Sequence, residues 1–202
     1  MTLATPRLFF DNVHSVLGTL DQSEVDGCNA ILAAMDGAPL SHTAYALGTA
    51  FLETGGTMHP IKEYGGDRYF FRMYDIAGAR PSVARVLGNN CAGDGCKFAG
   101  RGYVQLTGRN NYTKASTPTG VDLVANPDKA MDPGVAAKVM RFGMDTGLFT
   151  GKSFKSYLPA KGRANRAQFV QARRIINGQD RAADIAGFAL KFQAALEAGG
   201  WA

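Results

Sequence analysis

Apolar residues recur at helical spacing over most of the chain. Leu8, Phe9, Val13, Val16 and Leu17 form one stripe, and Val25, Ile31, Leu32 and Met35 form another. The pattern predicts two short amphipathic helices divided near Gly18–Asp21. Ala44, Leu47, Ala50 and Phe51 predict a third, from Thr43 to about Glu53, with Ser41 as its N-cap and Gly55–Gly56 as its stop. Helical periodicity returns at Gly134–Leu148, Asn165–Ile176 and Ala182–Leu196. Between these stretches, Tyr64–Tyr112 is rich in glycine and aromatics. Its runs Tyr69–Tyr74 and Tyr103–Thr107 suit either a small sheet or irregular loops. No internal repeat, low-complexity tract or linker interrupts the pattern. Residues 1–202 therefore read as one mainly α, two-lobed domain with little or no β structure and no separate module.

Composition narrows the class. At 46% hydrophobic and 19% charged, the 202 residues describe neither a disordered nor a fibrous chain. The net charge of +5 is local. Residues 151–179 carry Lys152, Lys155, Lys161, Arg163, Arg166, Arg173 and Arg174 and no acid, while the remainder is slightly acidic. Such a stretch suits a polyanionic partner, whether nucleic acid, anionic lipid or an acidic wall polymer; it equally suits a face that simply meets water. The longest run without a charged residue, Gly37–Leu52, contains Pro39 and His42 and is too short for a membrane span, so no membrane insertion is expected. Met1–Phe10 lacks the basic-then-apolar pattern of a secretory leader, which places synthesis in the cytoplasm without a signal peptide. Cys28, Cys91 and Cys96 are too few for a disulfide scaffold; Cys91 and Cys96 are either two free thiols or one local bridge.

Several familiar chemistries drop out. Gly147–Ser153 is one residue short of a phosphate-binding loop, and Gly100-Arg101-Gly102 lacks the third glycine of a dinucleotide fingerprint. His14, His42 and His59 fall at no metal-ligand spacing, and no nucleophile elbow is present, so neither metal nor cofactor is implied. The basic stretch has no nucleic-acid recognition motif beside it, and no nucleic-acid partner is expected.

Two glutamates carry the candidate chemistry. Glu53 falls where the third helix should end, at the negative pole of its dipole and beside Phe51 and Leu52. Both settings disfavour the charged form and suit a general acid. Glu63 follows in a loop-like segment, Pro60–Gly66, whose polar setting favours the carboxylate. Two carboxyl groups in opposed environments are what glycoside hydrolysis uses, although carboxylates ten residues apart are common by chance. A third segment, Phe98–Tyr112, interleaves glycines with polar and aromatic side chains. Gln105, Thr107, Asn110 and Asn111 offer groups for sugar hydroxyls, and Tyr103 and Tyr112 offer faces for a pyranose ring.

The segment Phe51-Leu-Glu53-Thr-Gly-Gly56, followed by Met58–Gly65, resembles the catalytic segment of glycoside hydrolase family 19, which includes plant and bacterial chitinases and many phage endolysins. Gly100–Tyr112 looks like the second signature of that family, and Arg174-Ile-Ile-Asn177-Gly178 like its third. The resemblance implies a lysozyme-like, mainly helical fold with a central cleft, inverting hydrolysis of β-1,4-linked N-acetylated amino sugars, and no metal. It makes Glu53 the general acid, Glu63 the general base and Thr107 a holder of the attacking water. Gln105, Asn111 and Asn177 become hydrogen-bond donors to substrate. Two positions depart from the family: Leu52 stands where His is frequent, and Ile185 stands where plant enzymes carry a second arginine after the one matched by Arg181.

The short form of the chain and its basic stretch resemble the endolysins of the family more than its secreted chitinases. The expected substrate is bacterial peptidoglycan, cut between N-acetylmuramic acid and N-acetylglucosamine by a monomer. The enzyme would reach the periplasm or wall after holin-type release. The alternatives are a chitinase, a non-catalytic wall-binding protein, and a lytic transglycosylase that needs only one carboxylate.

Overall fold

The structure, a computed structural model, describes residues 3–201. Helices α1 (Pro6–Leu17), α2 (Gln22–Ala34) and α3 (Leu40–Glu53) precede a two-residue strand, β1 (Ile61–Lys62). Next come α4 (Asp67–Tyr74), α5 (Pro81–Leu87), α6 (Asp94–Lys97), strand β2 (Arg101–Gly102) and α7 (Arg109–Thr119). Helices α8 (Pro133–Thr146), α9 (Arg166–Ala172) and α10 (Ala182–Ala198) complete the order, and a 3-10 turn at Arg173–Ile175 follows α9 directly. The mainly α expectation holds. Among the described residues the only sheet is the antiparallel pair β1–β2, with Ile61 opposite Gly102 and Lys62 opposite Arg101. None of the described helices is long and apolar enough to cross a membrane. The chain divides into two compact units, one comprising the residues up to His59 together with those from Met140 onward, the other Pro60–Val139.

Helix α3 is the centre of the first unit. Of the predicted stripe, Ala44, Leu47 and Ala50 are buried and Phe51 is half-buried, but Ser41, Tyr45 and Thr49 on the other sides are buried too. Burial all round removes the polar face on which an N-cap would be read. Pro39 occupies the cap position, and Ser41 instead donates from Oγ to the Pro159 carbonyl at 2.8 Å, as a buried hydroxyl must find a partner. Helix α10 packs on α3, with Ala189 against Gly48 and with Phe188 and Phe192 against Phe51. A Cβ at Gly48 would stand 2.7 Å from the Ala189 backbone nitrogen, so the absence of a side chain sets how closely the two helices approach. Tyr45, fully buried on α3, donates from its hydroxyl to the Ala172 carbonyl at the end of α9 (2.8 Å), which ties α9 to this core. The N-terminus of α2 is closed by a capping box between Asp21 and Glu24, worth about 1 kcal/mol.

In the second unit the sequence pattern misreads one element. Tyr69–Tyr74 belongs to helix α4 and is neither sheet nor loop. Its aromatic density mimics a strand, but only Phe70 is fully buried, and Asp67 in the first turn favours a helix start. Tyr103–Thr107 is a tight turn closed by reciprocal backbone bonds between Arg101 and Leu106. Phe70, Phe98, Tyr103, Leu106 and Tyr112 form the core here. The loop over it is pinned by buried Asp75, whose Oδ2 accepts the amides of Gly93 (2.8 Å) and Gly95 (3.0 Å). Arg109 adds a bidentate bond to buried Asp94. Cys91 in this loop and Cys96 in α6 are free thiols, as is buried Cys28.

Candidate active site

Glu53 is the last residue of α3, where the helix carbonyls run out of intrahelical partners. Its neighbours Phe51 and Leu52 do not cover the carboxyl group as the sequence suggests. Leu52 is buried, and the Phe51 ring packs against Phe188 and Phe192 of α10 at centroid distances of 4.7 and 6.0 Å. The group that meets the carboxylate is the Arg173 guanidinium, 2.5 Å from Oε1. Arg173 is 4% exposed and Glu53 25%, so the pair lies at the edge of the core with the carboxylate on the open side. Arg173 stands in the 3-10 turn after α9, and its Nε donates to the Asp180 carbonyl at 3.0 Å. This fork holds the guanidinium plane in place while the other nitrogen serves Glu53.

Glu63 directly follows β1, and its backbone N–H donates to the Gly100 carbonyl at 2.8 Å, extending the small sheet by one bond. Its carboxylate is held on both oxygens. Tyr74 donates from its hydroxyl to Oε1 at 2.7 Å, and the Gly100 N–H donates to Oε2 at 3.2 Å. Burial, and then the bond to Glu63, pushes the Tyr74 phenol up from its ordinary value, so it stays a proton donor. Each carboxylate oxygen keeps a further lone pair for a water proton.

The remaining sequence candidates divide. Thr107 Oγ1 donates to the Gln105 carbonyl at 2.8 Å, which leaves its lone pairs as its means of holding a water. Gln105 has a left-handed backbone (φ 55°), and its amide donates to the carbonyls of Ile61 (3.1 Å) and Gly102 (3.3 Å). It therefore straps the turn to β1. Its Oε1 is buried with no hydrogen-bond partner among the described residues. Asn111 donates to the Thr107 carbonyl at 2.9 Å from the first turn of α7. Asn177 is exposed after the 3-10 turn, and its Oδ1 accepts the Gly178 N–H.

Tyr103 and Tyr112 require a correction: both are 0% exposed and present no face to a sugar. Tyr112 lies beneath the Gly100-Arg101-Gly102 segment, where it donates to the Ala99 carbonyl (2.8 Å) and accepts from the Arg101 guanidinium (3.0 Å). Burial, eased by Arg101, pushes its phenol up to about 12. The exposed aromatics of this unit are instead Tyr64, Tyr69 and Phe71. Ile185 is fully buried, so the position matching the second plant arginine faces the core of the first unit.

Sequence reasoning missed Tyr74 and the pairing of Arg173 with Glu53. Tyr74 lay inside a run read as sheet or loop, which gave no direction for its hydroxyl. Arg173 lay in a charged run whose members look alike in sequence. The structure separates them. Arg173 is committed to Glu53 and Arg163 to Glu197, whereas Lys152, Lys155 and Lys161 are exposed and form no ion pair among the described residues.

The family model described as chitinase class I, that of glycoside hydrolase family 19, matches residues 41–148. The crystal structure of chitinase C from Streptomyces griseus superposes with a TM-score of 0.64 at 20% identity, covering 93% of this chain and 76% of that one. A bacterial family 19 chitinase superposes with a TM-score of 0.58, also at 20% identity, covering 98% and 95%. At that identity the likeness shows a shared fold. Acidic endochitinase Q of Nicotiana tabacum is 59% identical over 32 residues, which span 16% of this chain and only 13% of that relative. With the model covering just over half of its length, the chain belongs to glycoside hydrolase family 19.

Proposed function

We propose that the chain is a peptidoglycan hydrolase of the endolysin type. It cuts the β-1,4 bond between N-acetylmuramic acid and N-acetylglucosamine with inversion, acting as a monomer on the wall after release from the host cytoplasm. The observation that carries the reading is the contrast between the two carboxyl groups. Among the described residues Glu53 has one cationic partner, Arg173, which stabilises the carboxylate left behind once the proton has passed to the leaving oxygen. Glu63 takes one neutral hydrogen bond on each oxygen, from Tyr74 and from the Gly100 amide, an arrangement that suits a base drawing a proton from water. Thr107, two residues after Gln105, would accept a hydrogen bond from that water. The exposed lysines at 152, 155 and 161 suit an anionic envelope.

A chitinase reading is favoured by the short, close match to an endochitinase. Two substrates separate them. On permeabilised Gram-negative cells the endolysin reading predicts loss of turbidity; on chitooligosaccharides it predicts little cleavage. Glu53→Gln should abolish lysis while wall binding persists, since a positioned general acid contributes roughly 10²–10⁴-fold. Unchanged lysis by that variant would leave only a non-catalytic, wall-binding role.

A further inference from the structure

Helix α4 carries two exposed arginines one turn apart, Arg68 and Arg72. Together with Gly66 and Tyr69 they line one depression of about 450 Å³. An adjoining depression of about 390 Å³ shares Gly66 and is lined by Lys62, Glu63, Tyr64 and Gly65. The candidate base and the arginine pair therefore lie along one surface of the second unit.

Three further observations bear on this surface. Like charges at i and i+4 repel, so the pair is unfavourable for the helix by itself. Among the described residues seven other arginines make ion pairs with carboxylates, whereas Arg68 and Arg72 make none, although Asp67 is adjacent in sequence. The same helix also fixes the base. Tyr74 at its C-terminal end bonds Glu63, and the Tyr69 ring stands edge-on to Tyr74 at 6.3 Å. A Cβ at Gly65 would stand 2.7 Å from the Tyr69 ring, so the loop carrying fully exposed Tyr64 is seated tightly on α4. The candidate carboxylate, an open aromatic face and an unneutralised guanidinium pair thus lie on α4 or on the segment seated against it.

We propose that Arg68 and Arg72 bind a carboxylate of the peptide that hangs from N-acetylmuramic acid, while Tyr64 packs on a sugar ring beside Glu63. The proposal rests on the peptidoglycan reading and deepens it. Guanidinium forks match carboxylates bidentately, and peptidoglycan carries carboxylates on every stem peptide. Chitin carries none, so on a chitin strand the pair would have no counterpart.

The test compares wild type, Arg68→Ala/Arg72→Ala and Arg68→Lys/Arg72→Lys on purified peptidoglycan, with its peptides intact or removed by an amidase. The expected result is that the wild type prefers intact strands by about tenfold in kcat/KM, mainly through KM. The alanine variant should process both substrates alike, and the lysine variant should fall between. In parallel, a soluble stem tetrapeptide should shift amide resonances of α4 in the wild type and not in the alanine variant. Equal losses on both substrates, or no loss on either, overturn the proposal while the peptidoglycan reading stands. A wild type that cuts neither preparation overturns that reading and the proposal with it.

Discussion

Tyr74 donates its hydroxyl to Glu63 Oε1 at 2.7 Å, and this bond joins the last residue of α4 to the residue after β1. Burial and the bond itself keep the phenol protonated well above neutral pH, so the donor is present wherever the enzyme works. Replacing Tyr74 by Phe removes one of two donors to the carboxylate and keeps the ring. The expected outcome is roughly a tenfold loss in kcat with little change in KM, since a hydrogen bond to a charged group is worth about 1.5–3 kcal/mol and part of it is lost to water. An unchanged kcat in Tyr74→Phe would contradict a role for Tyr74 in positioning Glu63.

Arg173 is the only side chain bonded to Glu53 among the described residues. Arg173→Ala should lower unfolding stability by about 1–3 kcal/mol and kcat/KM by roughly 10–100-fold. Arg173→Lys keeps a charge but cannot bond both Glu53 and the Asp180 carbonyl in one plane, and should recover only part of each. Chemical denaturation and initial rates on peptidoglycan measure the two effects separately. A lysine variant equal to wild type in both would mean that charge alone matters and the fork does not.

Gly100 sits between two side chains of the site. A Cβ there would stand 2.6 Å from Gln105 Oε1 and 3.0 Å from Glu63 Oε2. Gly100→Ala should therefore displace the Glu63 carboxylate from its backbone donor, cutting activity at least tenfold. The overpacking should cost about 1–3 kcal/mol. A thermally stable Gly100→Ala protein with wild-type rates would show that the loop yields without moving Glu63.

The three thiols should differ sharply in reactivity. Burial pushes the Cys28 thiol up to about 12, whereas Cys91 is exposed. Because the thiolate is the reactive form, a disulfide reagent at pH 8 should modify Cys91 rapidly and leave Cys28 untouched until the protein unfolds. Cys96, partly covered and bonded to the Asp67 carbonyl at 3.2 Å, with a thiol likewise raised by burial, should react more slowly than Cys91. Rapid labelling of Cys28 in the native protein would contradict its burial on the inner face of α2.

Much of this arrangement was legible in the sequence. The helices flanking the middle segment followed from apolar spacing, and Glu53 at a helix end followed from the glycines behind it. What escaped did so for identifiable reasons. Periodicity reports one buried face, so it missed that α3 is enclosed on all sides and that Ser41 faces the core. Aromatic density signalled sheet where α4 needed only Phe70 inside, and this hid Tyr74. Tyr103 and Tyr112 read as sugar platforms because a tyrosine in a polar, glycine-rich segment looks exposed. The fold uses them instead as floor beneath that segment, with Arg101 capping the Tyr112 hydroxyl. Polar groups of the same segment that read as substrate ligands, such as Gln105 and Asn111, are largely bonded to nearby carbonyls. Nothing in residue type distinguishes a ligand from a strap.

The central proposal is hydrolysis of peptidoglycan glycan strands by Glu53 and Glu63 acting together. Mass spectrometry of the soluble products from purified peptidoglycan tests it most directly. The account predicts muropeptides with hydrated, reducing N-acetylmuramic acid ends, lost in both Glu53→Gln and Glu63→Gln. Anhydro-sugar ends that persist in Glu63→Gln, or an enzyme that releases sugars from chitin and none from peptidoglycan, would contradict it.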